Sequence, residues 1–117
     1  MATILIAEDD LQLNEGLAEI LEMEGHAVVM VADGMSAWEM LARQHFDVLL
    51  TDYSMPEADG EMLIQQIEQT PALDHIHIIV ISGYDIKPLE GRPRINLLLR
   101  KPFDVQQVIR AVNAIMG

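Results

Sequence analysis

Polar side chains able to carry out metal or phosphate chemistry follow four short apolar runs of this 117-residue chain. In chain order they are Glu8 and Asp9, then Asp52, then Ser82, and finally Lys101. Carboxylates are the hard oxygen ligands that Mg²⁺ prefers, and a lysine ammonium is a compact charge for a phosphate oxygen. A carboxylate can also act as a nucleophile and form an aspartyl-phosphate. Brought together, these residues would suit a divalent metal and a phosphoryl group, whose transfer needs mostly positioning and charge neutralisation.

The elements that must position these residues are short apolar segments separated by amphipathic ones. Apolar runs predict five buried strands, at residues 3–7, 27–31, 48–51, 78–81 and 95–99. Apolar residues at helical spacing between the strands predict helices, the second capped by Ser36 and the last by Asp104. Asp33 reads as a turn residue. Residues 84–94 contain Pro88, Gly91 and Pro93, so the fourth helix is predicted to be short or irregular.

The alternation of strands and helices predicts an α/β fold with a parallel sheet. Its strands are continuous apolar runs, as expected when helices cover both faces of the sheet. Right-handed crossovers place the carboxyl ends of all strands at one edge. With the strand order 2-1-3-4-5, Glu8 and Asp9 would face Asp52, and Ser82 and Lys101 would lie on its other flank.

Length and composition limit the classes of function. The chain predicts a single domain over residues 1–117, with no Cys for disulfides or thiolate metal sites. No apolar run approaches the roughly 20 residues needed to span a bilayer, and the N-terminus lacks the basic region of a signal peptide. We therefore expect a soluble, cytoplasmic protein without membrane insertion. The net charge of −12 disfavours direct nucleic-acid binding. It suits a divalent cation or a basic partner surface, and equally a general role in solubility.

Taken together, the motifs at the strand ends resemble the receiver domain of two-component response regulators over essentially the whole chain. They comprise residues 4–10, Asp52-x-x-Met55-Pro56-x-x-Asp59-Gly60, residues 79–83, and Lys101-Pro102-Phe103. The resemblance implies a flavodoxin-like, doubly wound (βα)5 fold with strand order 2-1-3-4-5. It also implies Mg²⁺-dependent phosphorylation of Asp52 by a sensor histidine kinase or a histidine phosphotransfer protein, as in a phosphorelay. Phosphorylation would switch the binding of an output protein.

The same resemblance assigns roles to individual residues. Mg²⁺ would be held by Asp9, Asp52 and the backbone carbonyl of Ser54, with Glu8 acting through water. Ser82 and Lys101 would contact the phosphoryl group. Such a protein catalyses only its own phosphorylation and dephosphorylation, and it would be a monomer or a phosphorylation-dependent dimer.

Two departures from the family pattern leave alternatives open. Leu98 stands three positions before Lys101, where receivers usually carry an aromatic residue that changes rotamer, and the segment before it is short and broken by prolines. The chain could therefore be a receiver-fold binding module that works without phosphorylation. It could also be a receiver cut from a hybrid kinase or a longer regulator. A true phosphatase is disfavoured, because Ser54 stands where such enzymes carry a second carboxylate.

Two histidines could suggest a second metal site. His75 and His77 precede the fourth predicted strand, at the end of the sheet opposite to the carboxylates. We predict that both are structural or solvated.

Overall fold

A computed structural model describes residues 1–54, 60–83 and 87–116. The described strands are β1 (Thr3–Ala7), β2 (Ala27–Val31), β3 (Val48–Asp52), β4 (His77–Ser82) and β5 (Ile95–Arg100). The described helices are α1 (Leu11–Met23), α2 (Gly34–Arg43), α3 (Gly60–Glu68) and α4 (Val105–Met116), with 3₁₀ turns at Pro71–Leu73 and Lys87–Leu89. All strands are parallel in the order β2-β1-β3-β4-β5, which confirms the predicted fold class and strand order. In this described part, none of the helices combines the length and apolarity that a membrane span requires.

The sheet has an apolar core on each face, because successive residues of a strand point to opposite sides. One core packs strand residues such as Leu49 and Val80 against α2 and α3. The other packs strand residues such as Leu50 and Ile81 against α1 and α4. Burial on both sides explains why the strands are continuous apolar runs, and it holds their carboxyl ends rigidly at one edge.

Three strands continue one residue beyond their predicted ends. β3 ends at Asp52, β4 at Ser82 and β5 at Arg100. The backbone pairing continues past these residues, since the N–H of Tyr53 donates to the carbonyl of Ile81 at 2.8 Å. Asp52 and Ser82 are therefore part of the sheet, and the backbone pairing restrains their positions.

The capping residue of α2 was predicted wrongly. The helix begins at Gly34, and the Asp33 carboxylate accepts a hydrogen bond from the Ser36 N–H at 2.7 Å. Asp33 is thus the N-cap, because its side chain reaches the free N–H three residues further on. Asp104 caps α4 as predicted, accepting from the Gln106 N–H at 2.9 Å.

The connection between β4 and β5 is described from residue 87 onwards. This part contains only the three-residue 3₁₀ turn Lys87–Leu89 in place of a longer helix. Leu89 is 2% exposed and anchors the turn in the core on the α2 and α3 side of the sheet. The prediction of a short or irregular fourth helix holds for this part, while residues 84–86 lie outside the described residues.

Asp47 joins the starts of two neighbouring strands, β1 and β3. Its carboxylate accepts a hydrogen bond from the Thr3 N–H at 2.8 Å and lies 3.2 Å from Nε2 of His45. The bond from Thr3 lowers the pKa of Asp47, since it and the contact with His45 outweigh partial burial. The charged form therefore stabilises the folded state above the ordinary aspartate pKa, and this stabilisation is lost as the pH falls through the lowered pKa.

We expect the Asp47→Asn variant to be about 1 kcal/mol less stable than the wild type near neutral pH, because a charge-assisted bond is replaced by a neutral one. The difference should shrink as the pH falls from about 4, where the carboxylate of the unfolded chain becomes protonated, through the lowered pKa of the folded state. Urea unfolding across this pH range measures it. A difference that does not change with pH would contradict this account. His45→Gln is the control, because it leaves the bond from Thr3 in place.

Candidate functional site

The parallel register brings three carboxylates together at one edge of the sheet. Ala7 pairs with Thr51, so the residues that follow them, Glu8 and Asp52, come level with each other. Ligand oxygens of Glu8, Asp9 and Asp52 lie within 4.8 Å of one another. This is the arrangement predicted from the strand ends, and among the described residues it is the one group of three acidic or histidine side chains that converges so closely.

A cavity of about 440 Å³ opens onto this cluster. Its described lining residues are Asp9, Asp52, Ser54, Gly83 and Lys101. Asp52 is 6% exposed at the base of the sheet edge, whereas Asp9 is exposed. The cavity therefore gives a small ligand access to a carboxylate that is otherwise buried.

Lys101 supplies the positive charge beside the carboxylates. Its Nζ donates to Oε1 of Glu8 at 3.0 Å and lies 3.5 Å from Oδ2 of Asp52. Burial by itself would lower the pKa of Lys101, but the contacts with Glu8 and Asp52 outweigh burial and raise it. Lys101 is consequently a protonated ammonium at neutral pH, and it bridges two of the three carboxylates.

Glu8 is the most deeply buried member of the acidic cluster, at 2% exposure. Burial raises its pKa, and the nearby charge of Asp52 acts in the same direction. The N–H of Asp10, which donates to Oε2 at 3.0 Å, and the ammonium of Lys101 oppose this shift without cancelling it. A crowded set of carboxylates with a raised pKa favours the binding of a cation, which would relieve the repulsion.

Ser82 lies at the end of β4 and is 1% exposed. Its carbonyl accepts a hydrogen bond from the N–H of Lys101 at 2.7 Å, so the two residues are held side by side by their backbones. Ser82 does not line the described part of the cavity, in contrast to its neighbour Gly83. Its predicted contact with a phosphoryl group stays a prediction.

Asn14 is a site residue that the sequence reasoning missed. It is 3% exposed in α1, and its Nδ2 donates to the carbonyls of Glu8 at 3.1 Å and Val31 at 2.9 Å. It therefore holds α1 against the end of β1, just where Glu8 begins the acidic cluster. Asn14 lies on the same buried face of the helix as Leu17, Ala18 and Leu21. A polar residue at helical spacing with apolar ones was the pattern in the sequence that could have indicated this role.

The described histidines take no part in the acidic cluster. His77 begins β4, at the end of the sheet opposite to Ser82. His75 stacks instead on His45, with ring centroids 4.5 Å apart and ring planes inclined by 12°. Among the described residues, the close group of potential metal ligands consists of Glu8, Asp9 and Asp52 and includes no histidine.

The parallel five-stranded fold and the acidic pocket at its carboxyl edge define the receiver class of α/β proteins. The chain belongs to the response regulator receiver domain family, whose model matches residues 4–113. The recognition made from the strand-end motifs is confirmed. Met55, Pro56 and Asp59, which contributed to that recognition, lie outside the described residues.

Among similar proteins is the response regulator receiver protein CpdR of Brucella abortus. It is 33% identical over 117 residues, which cover 99% of this chain and 98% of that protein. Several other response regulators that match are much longer, and the chain spans about half of their length or less. A receiver domain is not a classical enzyme.

Solved structures share the fold closely. The receiver domain of a signal transduction histidine kinase from Syntrophus aciditrophicus is 26% identical, has a TM-score of 0.89, and is matched over 99% of this chain and 90% of that one. The response regulator TrrA of Thermotoga maritima, solved in complex with Mg²⁺-BeF, is 21% identical with a TM-score of 0.86, and is matched over 98% of this chain and 99% of that one. The acidic cluster is typical of the Mg²⁺ site of receivers. Its donors are all hard oxygens, which fit that ion.

Proposed function

We propose that Asp52 accepts a phosphoryl group from the phosphohistidine of a sensor histidine kinase or a histidine phosphotransfer protein. The observation that carries this proposal is the convergence of the Glu8, Asp9 and Asp52 carboxylates within 4.8 Å, beside the Lys101 ammonium. Family membership supports it, since receivers of two-component systems work with histidine kinases. Phosphorylation then changes the affinity of the domain for an output protein.

The transfer is a displacement at phosphorus by a carboxylate oxygen of Asp52. The new oxygen–phosphorus bond forms as the phosphorus–nitrogen bond of the phosphohistidine breaks, and the imidazole takes the electron pair of the broken bond. The 440 Å³ cavity above Asp52 gives the donor access. Chemistry of this kind depends mainly on alignment and on neutralising charge at the transferring oxygens.

The surrounding residues neutralise that charge. Lys101 already lies 3.5 Å from Asp52, and we infer that its ammonium binds an oxygen of the phosphoryl group. The Ser82 hydroxyl is proposed to donate to another. Mg²⁺ would be held by Asp9, Asp52 and the carbonyl of Ser54, with Glu8 acting through water, and when bound it supplies positive charge to the phosphate oxygens.

Replacing the acceptor tests the proposed function directly. The wild-type protein incubated with Mg²⁺ and acetyl phosphate should gain the mass of one phosphoryl group, and the Asp52→Asn variant should gain none, because its amide is not a nucleophile. Intact-mass spectrometry measures both. Circular dichroism of the variant checks that its fold is retained.

The matched control is Asp47→Asn, which removes an equally charged aspartate at the opposite end of β3. It should be labelled like the wild type. A wild-type protein that stays unlabelled while another receiver is labelled in the same solution would overturn the proposal. An adduct that survives in Asp52→Asn would move the acceptor elsewhere.

A second candidate is a binding module that works without phosphorylation, and Leu98 favours it. This residue is half-buried and packs against the core on the α2 and α3 side, in the position where receivers usually carry a switching aromatic. A partner that binds wild-type protein and Asp52→Asn equally, with and without acetyl phosphate, would support this candidate. The receiver could equally act within a hybrid kinase or longer regulator, and either as a monomer or as a phosphorylation-dependent dimer.

A further inference from the structure

The residue next to the proposed acceptor is tied to α3 through its side chain. The hydroxyl of Tyr53 donates to Oε1 of Glu61 at 2.7 Å. Its backbone is also bound on both sides, since its N–H donates to Ile81 and its carbonyl accepts from Gly60, each at 2.8 Å. These three hydrogen bonds hold Tyr53 in place between Asp52 and Ser54, which both line the cavity.

Arg92, from the connection that precedes β5, binds the same glutamate. Its Nη1 donates to Oε1 of Glu61 at 2.6 Å, and its Nη2 donates to Glu68 at 3.1 Å. The two glutamates are seven residues apart in α3, which places them on one face of the helix. The planar guanidinium of Arg92 therefore bonds to Glu61 and Glu68 together. Since Glu61 also accepts from Tyr53, hydrogen bonds connect the segment before β5 to Tyr53 through Glu61.

Charge and burial favour this chain of contacts. Partial burial would raise the pKa of Glu61, but the hydrogen bonds from Arg92 and Tyr53 outweigh burial and lower it. Glu61 is therefore ionised at neutral pH. Its second oxygen accepts from Gln65 at 2.9 Å, so both of its oxygens have hydrogen-bond partners. The side chain of Arg92 is only 22% exposed, which limits competition from water.

Arg94 provides an internal comparison. It comes from the same connection and its side chain is likewise 22% exposed. Its Nη2 donates to the carbonyls of Leu73 at 3.2 Å and Ile76 at 2.9 Å, which precede the start of β4. Arg94 thus anchors the same connection at the end of the sheet away from Asp52.

We propose that Arg92 is a positioning residue for the phosphoryl-accepting site, acting through Glu61 on Tyr53 and so on the backbone that carries Ser54. The inference rests on the proposed function of Asp52. If so, the segment before β5 is coupled to Asp52 through the hydrogen bonds of Arg92 and Glu61, by a route that does not involve Leu98.

The test compares Arg92→Met with the matched control Arg94→Met. Three quantities are measured: the Mg²⁺ dissociation constant by calorimetry, the rate of adduct formation with acetyl phosphate, and urea stability. We expect Arg92→Met to weaken Mg²⁺ binding and slow adduct formation by about fivefold each, a typical size for coupling through packed contacts. Arg94→Met should keep the Mg²⁺ affinity and the rate of adduct formation within about twofold of the wild type, even if it lowers the stability of the fold.

A double-mutant cycle distinguishes positioning from general loosening of the fold. If Tyr53 and Arg92 act through one path, Tyr53→Phe combined with Arg92→Met should slow adduct formation little more than the more damaging single change. Arg92→Lys keeps a positive charge near Glu61 but loses the fork to Glu68. It should restore part of the rate.

Several results would overturn the inference. These are wild-type Mg²⁺ affinity and rate in Arg92→Met, equal losses in Arg92→Met and Arg94→Met, or fully additive effects in the cycle. Failure of the proposed function gives a different result. If the wild type forms no adduct, the comparison of Mg²⁺ affinities still decides the role of Arg92, and a wild type that binds no Mg²⁺ would overturn both proposals.

Discussion

Replacing Lys101 by methionine should slow the phosphorylation of Asp52 by about 100-fold or more, the usual cost of removing one group that stabilises developing charge. Methionine keeps much of the length of the side chain and removes only the ammonium that lies 3.5 Å from Asp52. The rate with acetyl phosphate and Mg²⁺, followed by intact-mass spectrometry, measures the effect.

The same change should strengthen Mg²⁺ binding while it slows the reaction. Lys101 and the metal compete for one set of carboxylates, so loss of the ammonium leaves Glu8 and Asp52 less neutralised. A variant that is merely misfolded would lose both properties together. Opposite changes in affinity and rate therefore identify the loss of charge as the cause.

Stability provides a third measurement for the Lys101→Met variant. Glu8 is 2% exposed and would lose its ammonium partner, which should cost about 1–3 kcal/mol at neutral pH. Because burial raises the pKa of Glu8, its charged form is disfavoured in the folded state. The cost should therefore shrink as the pH falls through this raised pKa, because Glu8 becomes protonated at a higher pH than an ordinary glutamate does.

The control for this prediction is the neighbouring residue. Arg100 is an exposed cation at the end of β5, and Arg100→Met changes the net charge by the same amount. We expect it to keep the wild-type rate within about twofold, because exposed charges are screened by solvent. Equal losses in Arg100→Met and Lys101→Met would show that net charge alone governs the reaction.

A second large effect is expected at Gly60, the first residue of α3. A Cβ added there would lie 2.7 Å from the carbonyl oxygen of Asp52 and 2.7 Å from Cα of Tyr53. Both are backbone atoms, which cannot move aside as a flexible side chain would. We expect Gly60→Ala to lower the free energy of unfolding by about 3 kcal/mol, because overpacking against backbone forces α3 away from the end of β3.

The displacement of α3 should also impair phosphorylation, since the added Cβ would press on the backbone of Asp52 and Tyr53. Adduct formation should slow beyond what the fraction of unfolded protein explains, when both are measured in the same buffer. Gly16→Ala is the matched control: Gly16 lies within α1, and apart from its chain neighbours and the nearby backbone of its own helix no atom lies within 4 Å of an added Cβ. It should be stabilising by about 0.5–1 kcal/mol. Equal behaviour of the two variants would contradict the account.

Much of the fold could be predicted because its signals are local. Five short apolar runs, most of them separated by amphipathic segments, are typical of a parallel sheet covered on both faces. Within such a sheet, the chemistry must lie at the carboxyl ends of the strands. That rule, together with the resemblance to receivers, singled out Glu8, Asp9 and Asp52, whose oxygens lie within 4.8 Å of one another.

Local reasoning failed where two side chains competed for one role. Ser36 and Asp33 both precede the amphipathic stretch of α2, and both residue types cap helices. The structure assigns the cap to Asp33, at 2.7 Å from the Ser36 N–H. Only the backbone path into the helix decides which side chain reaches the free N–H.

By itself, the sequence determined the class of protein, the edge of the sheet that carries the site, and the types of residue found there. Tertiary structure decided which polar groups meet. Lys101 pairs with Glu8 across 93 positions of the chain, and Arg92 reaches Glu61 across 31. Apolar periodicity specifies which face of an element is buried, but it contains no information on how charged side chains pair across different elements. Those pairings arise only after the sheet register and helix packing have brought the elements together.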